Sequence, residues 1–138
     1  MASNQNKKEG MVKITASNGE TISLLTTDTN IKFETFQQEV LSKSSSMGVT
    51  VIISGKFTDD NAPEAIKIFN WSKSFERESI YRNLEILTQP GQTMDRKYKF
   101  PEMFVLNYEE KLGKDEASTY FTLTLRQKED HFDDIETY

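Results

Sequence analysis

The chain contains no cysteine. Disulfides, thiolate zinc sites, iron–sulfur clusters and thiol nucleophiles are thereby excluded. It has one histidine, His131, set among acidic residues near the C-terminus. A lone histidine in such a run reads as solvated, and without another base no Ser–His–Asp arrangement can be assembled. Neither phosphate-cradling glycine loop, G-x-G-x-x-G or G-x-x-x-x-G-K-[ST], is present. No apolar run approaches the ~20 residues that a membrane-spanning helix needs. The N-terminal MASNQNKKEG lacks the apolar stretch of a secretory signal, so assembly in the cytoplasm is expected. Positive charge is also in short supply: 17 Lys and Arg are scattered among 22 Asp and Glu, for a net charge of -5. Binding along a nucleic-acid backbone needs clustered cations, so sequence-specific nucleic-acid recognition is not expected. Nothing calls for a cofactor, a metal or a membrane, and the chain reads as non-enzymatic.

What is present is one domain's worth of apolar residues, 36% of 138. Residues 1–10 read as a disordered tail, 11–128 as a single β domain and 129–138 as an acidic tail. Val12 and Ile14 alternate with polar neighbours, as do Ile22 and Leu24, and Asn18-Gly19 lies between them. That pattern predicts a hairpin over roughly 11–26 with a type I′ turn. A third strand is expected in 31–40, with Ile31 and Phe33 on one face and a bulge at Phe36. KSSSMG at 43–48 reads as a flexible connection. The β-branched run 49–57 follows, with Val49, Val51, Ile53 and Phe57 on one face.

One helix is predicted, over about 61–77. Asn61 is its candidate N-cap, Pro63 fits its first turn, and Glu64 completes a capping box. Ala65, Ile68, Phe69, Ser72 and Phe75 form its apolar stripe, with Trp71 at the edge of the core or facing a partner. Further strands are expected at 80–88, at 94–100 up to an interruption at Pro101, at 103–108 and at 120–127. In the third of these, Phe104, Leu106 and Tyr108 share a face; in the last, Phe121, Leu123 and Leu125 point inward. About eight strands and one flanking helix make a mostly-β (α+β) fold, an antiparallel β-barrel or sandwich.

The acidic pairs have ordinary explanations. Asp59 and Asp60 suit a helix N-terminus, and Asp133 and Asp134 keep a tail soluble. Glu109 and Glu110 are adjacent on a strand, point to opposite faces and cannot act together. Tyr81, Tyr98, Tyr108 and Tyr120 read as core aromatics rather than as stacking platforms for bases.

The order strand VTVIISGKF, helix PEAIKIFNWSKS, then strands RNLEILT, FPEMFVLNYEEKLG and STYFTLTLRQKE carries a family resemblance. Phe104, Leu106, Tyr108, Glu109, Glu110 and Gly113, followed by Tyr120, Phe121, Leu123 and Leu125, are similar to the final β-hairpin of tail-tube and baseplate proteins. These belong to contractile phages and phage-like injection systems, and the hemolysin-coregulated tube protein of type VI secretion is of the same group. Over residues 48–128 the resemblance implies a β-barrel flanked by a helix, no cofactor, and homo-oligomeric rings, often hexameric and stacked, within a particle of sheath and baseplate proteins. The candidate oligomer-interface residues are Ser44, Ser45, Ser46, Met47, Trp71 and Phe36. The alternatives are a monomeric barrel holding a small apolar ligand and an OB-like binder of single-stranded nucleic acid.

Overall fold

A computed structural model describes residues 11–25, 27–35, 47–74, 80–88, 96–115, 118–127 and 135–137. The strands are β1 (Met11–Thr15), β2 (Thr21–Leu25), β3 (Asp28–Thr35), β4 (Met47–Lys56), β5 (Arg82–Thr88), β6 (Arg96–Lys111), β7 (Tyr120–Gln127) and β8 (Glu136–Thr137). The helix α1 (Ala62–Ser72) lies between β4 and β5. Every pairing is antiparallel, in the order β2-β1-β5-β6-β7-β4-β3, with β8 added beside β6. The mostly-β fold with one helix is as the sequence implied. Among the described residues the sheet is not closed into a barrel: its path ends at β2 on one side and β3 on the other.

The core is filled by side chains from both ends of this path. Val12, Ile14, Ile22 and Leu24 meet Val49, Val51 and Ile53, together with Leu84, Ile86, Phe100, Met103, Phe121, Leu123 and Leu125. Each large apolar side chain removed from water contributes about 1.5–3 kcal/mol before conformational entropy is counted. The alternation read in β1, β2 and β7 is the alternation observed, and Val49, Val51 and Ile53 of β4 are buried as read, with Thr50 between them buried as well.

β6 departs from the reading in a way that shapes the whole sheet. The sequence put a break at Pro101, but the strand runs through it for 16 residues. Leu84 faces Phe100 and Arg82 faces Met103, so Asn83 alone opposes Pro101 and Glu102. This is a β-bulge, a place where a residue without an N–H costs the ladder nothing. Glu102 takes φ 57, and its N–H donates to Asn83 Oδ1 at 3.3 Å. A second irregularity follows, since Val105 faces Leu125 while Asn107 faces Thr124, leaving Leu106 as the extra residue. The residues of β6 that meet the core are therefore Tyr98, Phe100, Met103, Val105 and Tyr108, with the phase slipping once at each bulge. The expected face of Phe104, Leu106 and Tyr108 does not form, and Leu106 is exposed.

Three local expectations are also corrected. In the first hairpin only Gly19 has positive φ, at 95°, and its N–H bonds to Ala16 O at 3.0 Å. The connection is thus a turn over 16–19 with glycine at its last position, not a type I′ turn on Asn18-Gly19. The helix buries Ala65, Ile68 and Trp71, whereas Phe69 is 46% exposed. α1 ends at Ser72, and the predicted extension through Phe75 to 77 lies outside the described residues beyond Ser74. Part of the segment read as an acidic tail joins the domain: Ile135 packs against the core and β8 pairs with β6.

Candidate assembly surfaces

An open sheet has two edges, each a row of backbone donors and acceptors ready to pair with another chain. At the β2 edge those groups are taken by the helix. Asn61 is 1% exposed. Its Oδ1 accepts from Leu25 N–H at 3.0 Å, and its Nδ2 donates to Leu25 O at 2.9 Å and to Lys56 O at 3.2 Å. The side-chain amide thus does for Leu25 what a neighbouring strand's peptide would do. One turn on, Glu64 Oε1 accepts from Ser23 N–H at 2.9 Å, and a further turn on, Lys67 Nζ donates to Thr21 O at 3.2 Å. Three helix residues rise ~4.5 Å while two strand residues span ~6.7 Å, and the longer Glu and Lys side chains make up the difference. Lys67 and Glu64 also pair with each other at 3.3 Å.

This use of Asn61 and Glu64 replaces the capping box. Asn61 is helical (φ -93, ψ -24) and makes no side-chain cap bond. Its own N–H donates to Thr58 Oγ1 at 3.1 Å, and Ala62 N–H reaches Thr58 O at 2.8 Å. Thr58 therefore does the capping, which frees the Asn61 side chain for the sheet. Asp59 and Asp60 sit exposed in that first turn, where the helix dipole favours negative charge. Sequence reasoning missed the clasp because Asn61 is an equally good N-cap in isolation. Only the polar spacing 61, 64, 67 hinted at a second task.

The β3 edge is different. β4 lies on its inner side, and no described strand lies on its outer side. Phe33, on this strand, is 52% exposed. Thr35 of β3 faces Met47 of β4. The chain from 36 to 46 joins these two residues, so Phe36, Ser44, Ser45 and Ser46 belong to the connection at this end of the hairpin, outside the described residues. Of the six candidate interface residues, four thus lie outside the described residues and the fifth, Met47, begins β4. The sixth is Trp71. Trp71 is 3% exposed, and its Nε1 donates to Ile80 O at 2.9 Å. The Arg82 guanidinium lies 5.1 Å from its ring centre. Arg82 is itself buried, with Nη2 3.1 Å from Glu20 Oε1. The indole fills the chain's own core because α1 turns that side to the sheet. Ile66 and Phe69 are the apolar residues it leaves outside.

The polar groups weighed for chemistry are apart. Glu109 accepts from Asn107 Nδ2 at 3.3 Å and Glu110 from Tyr108 Oη at 2.6 Å, on opposite sides of the strand. Burial first, and then the Glu110 carboxylate, push the Tyr108 hydroxyl far above the usual tyrosine range. Tyr98 and Tyr108 pack on the core, Tyr81 meets Phe104 edge-on, and Tyr120 is exposed beneath Lys111, so these four tyrosines form no stacking row among the described residues. Among the described residues no three His, Cys, Asp or Glu gather closely enough to hold a metal ion, and no helix is long and apolar enough to cross a membrane. His131 lies outside the described residues.

No protein-family model matches the chain, and no curated protein matches it. Solved structures do. A chain of the extended sheath–tube complex of an extracellular contractile injection system (PVC) superposes with TM-score 0.56 at 12% identity, covering 94% of this chain and 88% of that one. A chain of the six-fold symmetrised baseplate of the anti-feeding prophage gives 0.54 at 8% identity, with 96% and 93% covered. Hcp1 from Flavobacterium johnsoniae gives 0.51 at 16% identity, with 92% and 94% covered. At such low identity the likeness is one of fold, and it spans nearly the whole of each chain: this protein has the tube-like fold of contractile injection systems.

Proposed function

We propose that the chain is a structural, non-enzymatic subunit of a phage-like contractile tail or injection system, assembling with copies of itself into a ring, hexameric and stackable into a tube. Its partners are then neighbouring copies and the sheath or baseplate proteins of the same particle. The observation that carries this reading is the fold, shared over nearly its full length with chains from such assemblies. The sheet edges support it. The helix clasps β2, while no described strand lies on the outer side of β3; Phe36, Ser44, Ser45, Ser46 and Met47 are the residues proposed to meet a neighbour. A heterologous contact of this kind closes into a ring when its rotation divides the circle. The net charge of -5 suits a channel wall from which an acidic cargo is repelled.

Native mass spectrometry and negative-stain microscopy over the micromolar range test the proposal. The expected result is a species of about six times the 15.9 kDa chain mass, seen as rings. A chain that stays monomeric at every concentration, and joins no ring when mixed with sheath and baseplate proteins of a contractile injection system from the same source, overturns it.

A further inference from the structure

α1 turns two large apolar side chains away from the sheet. Ile66 is 65% exposed and Phe69 is 46% exposed. They are three positions apart, so they sit side by side on the helix. Pro63, one turn before Ile66, and Lys73, two turns after it, extend the same stripe, and both are exposed. The other flanks are committed elsewhere: Glu64 and Lys67 hold β2, and Ala65, Ile68 and Trp71 are buried. The Lys73 ammonium stands 5.0 Å from the centre of the Phe69 ring, which keeps it on the stripe.

The charges on this face are ordered. Asp59 and Asp60 are exposed just before the helix, in a turn that leads into it, since Ala62 N–H reaches Thr58 O at 2.8 Å. Lys73 is the cap at the other end. Asp59 stands seven positions before Ile66 and Lys73 seven after, roughly 10 Å each way along a helix. Turning the stripe end for end about Ile66 therefore puts Asp59 in the place of Lys73 and Pro63 in the place of Phe69. A stripe with that property is complementary to itself. When two copies cross antiparallel, acid meets base at both ends and Ile66 meets Ile66 at the centre. The two helix dipoles oppose each other in the same arrangement. A shallow crossing of about 20°, with axes about 8–10 Å apart, keeps both ends within reach of a lysine side chain.

We infer that the outer face of α1 is a contact surface for α1 of a second copy, packed antiparallel about a two-fold axis at Ile66. A partner of one charge sign suits only one end of the stripe, whereas the chain's own helix suits both. The contact goes beyond the ring reading and does not depend on it. A ring contact is heterologous and never sets a residue opposite itself; a two-fold contact does. One stripe of an 11-residue helix falls short of the ~1,200 Å² that a stable interface buries, so the pairing is weak and shows itself at high concentration.

The absence of native cysteine lets residue 66 report the contact on the full chain. Ile66→Cys places a thiol at the axis, opposite the same residue of the second copy, and disulfide formation under mild oxidation is timed at high micromolar concentration. The same variant is made with Asp59→Lys and Asp60→Lys together, with Lys73→Asp, and with all three. Each of these side chains is exposed, and circular dichroism checks the fold. Exposed ion pairs are individually weak, but both ends of the stripe reverse at once, so each partial reversal should slow dimer formation by roughly threefold to tenfold. The full reversal should restore it. A mixture of the two partial variants should give the mixed dimer in excess over either self-dimer. Simple collision predicts otherwise, because Asp59→Lys with Asp60→Lys brings the net charge of -5 nearer zero and would speed dimerisation. Rates that ignore the reversals, or a mixture without excess mixed dimer, overturn the inference. Neither result touches the ring reading, which microscopy scores separately.

Discussion

Replacing Asn61 probes the clasp that links α1, β2 and β4. Asn61→Ala deletes three hydrogen bonds, to Leu25 N–H, Leu25 O and Lys56 O. Each contributes about 0.5–1.5 kcal/mol net, and a buried partner left unpaired costs more. Leu25 is 40% exposed, so water can re-solvate part of what is lost. A destabilisation of about 2–3 kcal/mol follows. With a urea m-value on the order of 1.5–2 kcal/mol per molar, the midpoint falls by about 1–2 M. Trp71 is the single tryptophan and is buried on the same helix, so its fluorescence reports the transition. Asn61→Asp sharpens the test. The carboxylate still accepts from Leu25 N–H but turns an oxygen on two carbonyls that Nδ2 now reaches at 2.9 and 3.2 Å. Repulsion and burial raise the folded-state pKa of that carboxyl. Its extra penalty is absent below the unfolded value of about 4 and grows as pH rises through the folded one. A loss below about 0.5 kcal/mol for Asn61→Ala, or no pH dependence for Asn61→Asp, would refute the reasoning, since three net hydrogen bonds cannot sum to so little.

Two further outcomes are expected. A Cβ at Gly55 would lie 2.9 Å from Phe121 Cζ and 3.3 Å from Thr27 Cγ2, so Gly55→Ala should cost about 1–3 kcal/mol by overpacking, measurable as a lower thermal midpoint. Tyr108 has a folded-state pKa raised by burial and by Glu110. Spectrophotometric titration of the native protein should therefore leave the Tyr108 phenol protonated above the ordinary tyrosine value of about 10. The associated stability is fully present below the ordinary tyrosine value of about 10, is lost as pH climbs above it, and does not change in this way in Tyr108→Phe.

Period-two patterning determined β1, β2 and β7, because in those strands one face is buried and the other more exposed, and burial follows residue number; in β4 the apolar face Val49, Val51 and Ile53 is buried as read, but Thr50 on the other face is buried too. The same rule failed in β6. A bulge shifts the phase by one without leaving a mark in the hydrophobic pattern, so Val105 and Tyr108 both meet the core while Leu106 does not. A chain without cysteine and with one histidine carries its chemical limits in its composition. Trp71 was not legible in this way: it looked peripheral until the sheet was in place, and the structure buries it.

Sequence alone determined a β-rich, helix-flanked domain and the local strength of each element. Tertiary structure decided which edges remain open. Local propensity sees Asn61 and Glu64 as a helix start, and Ile135–Thr137 as the end of an acidic tail. Whether a polar side chain caps its own helix or a distant strand depends on which unpaired backbone groups the fold brings near it. That is a property of the sheet, whose strands come from opposite ends of the chain, and no window of sequence contains it.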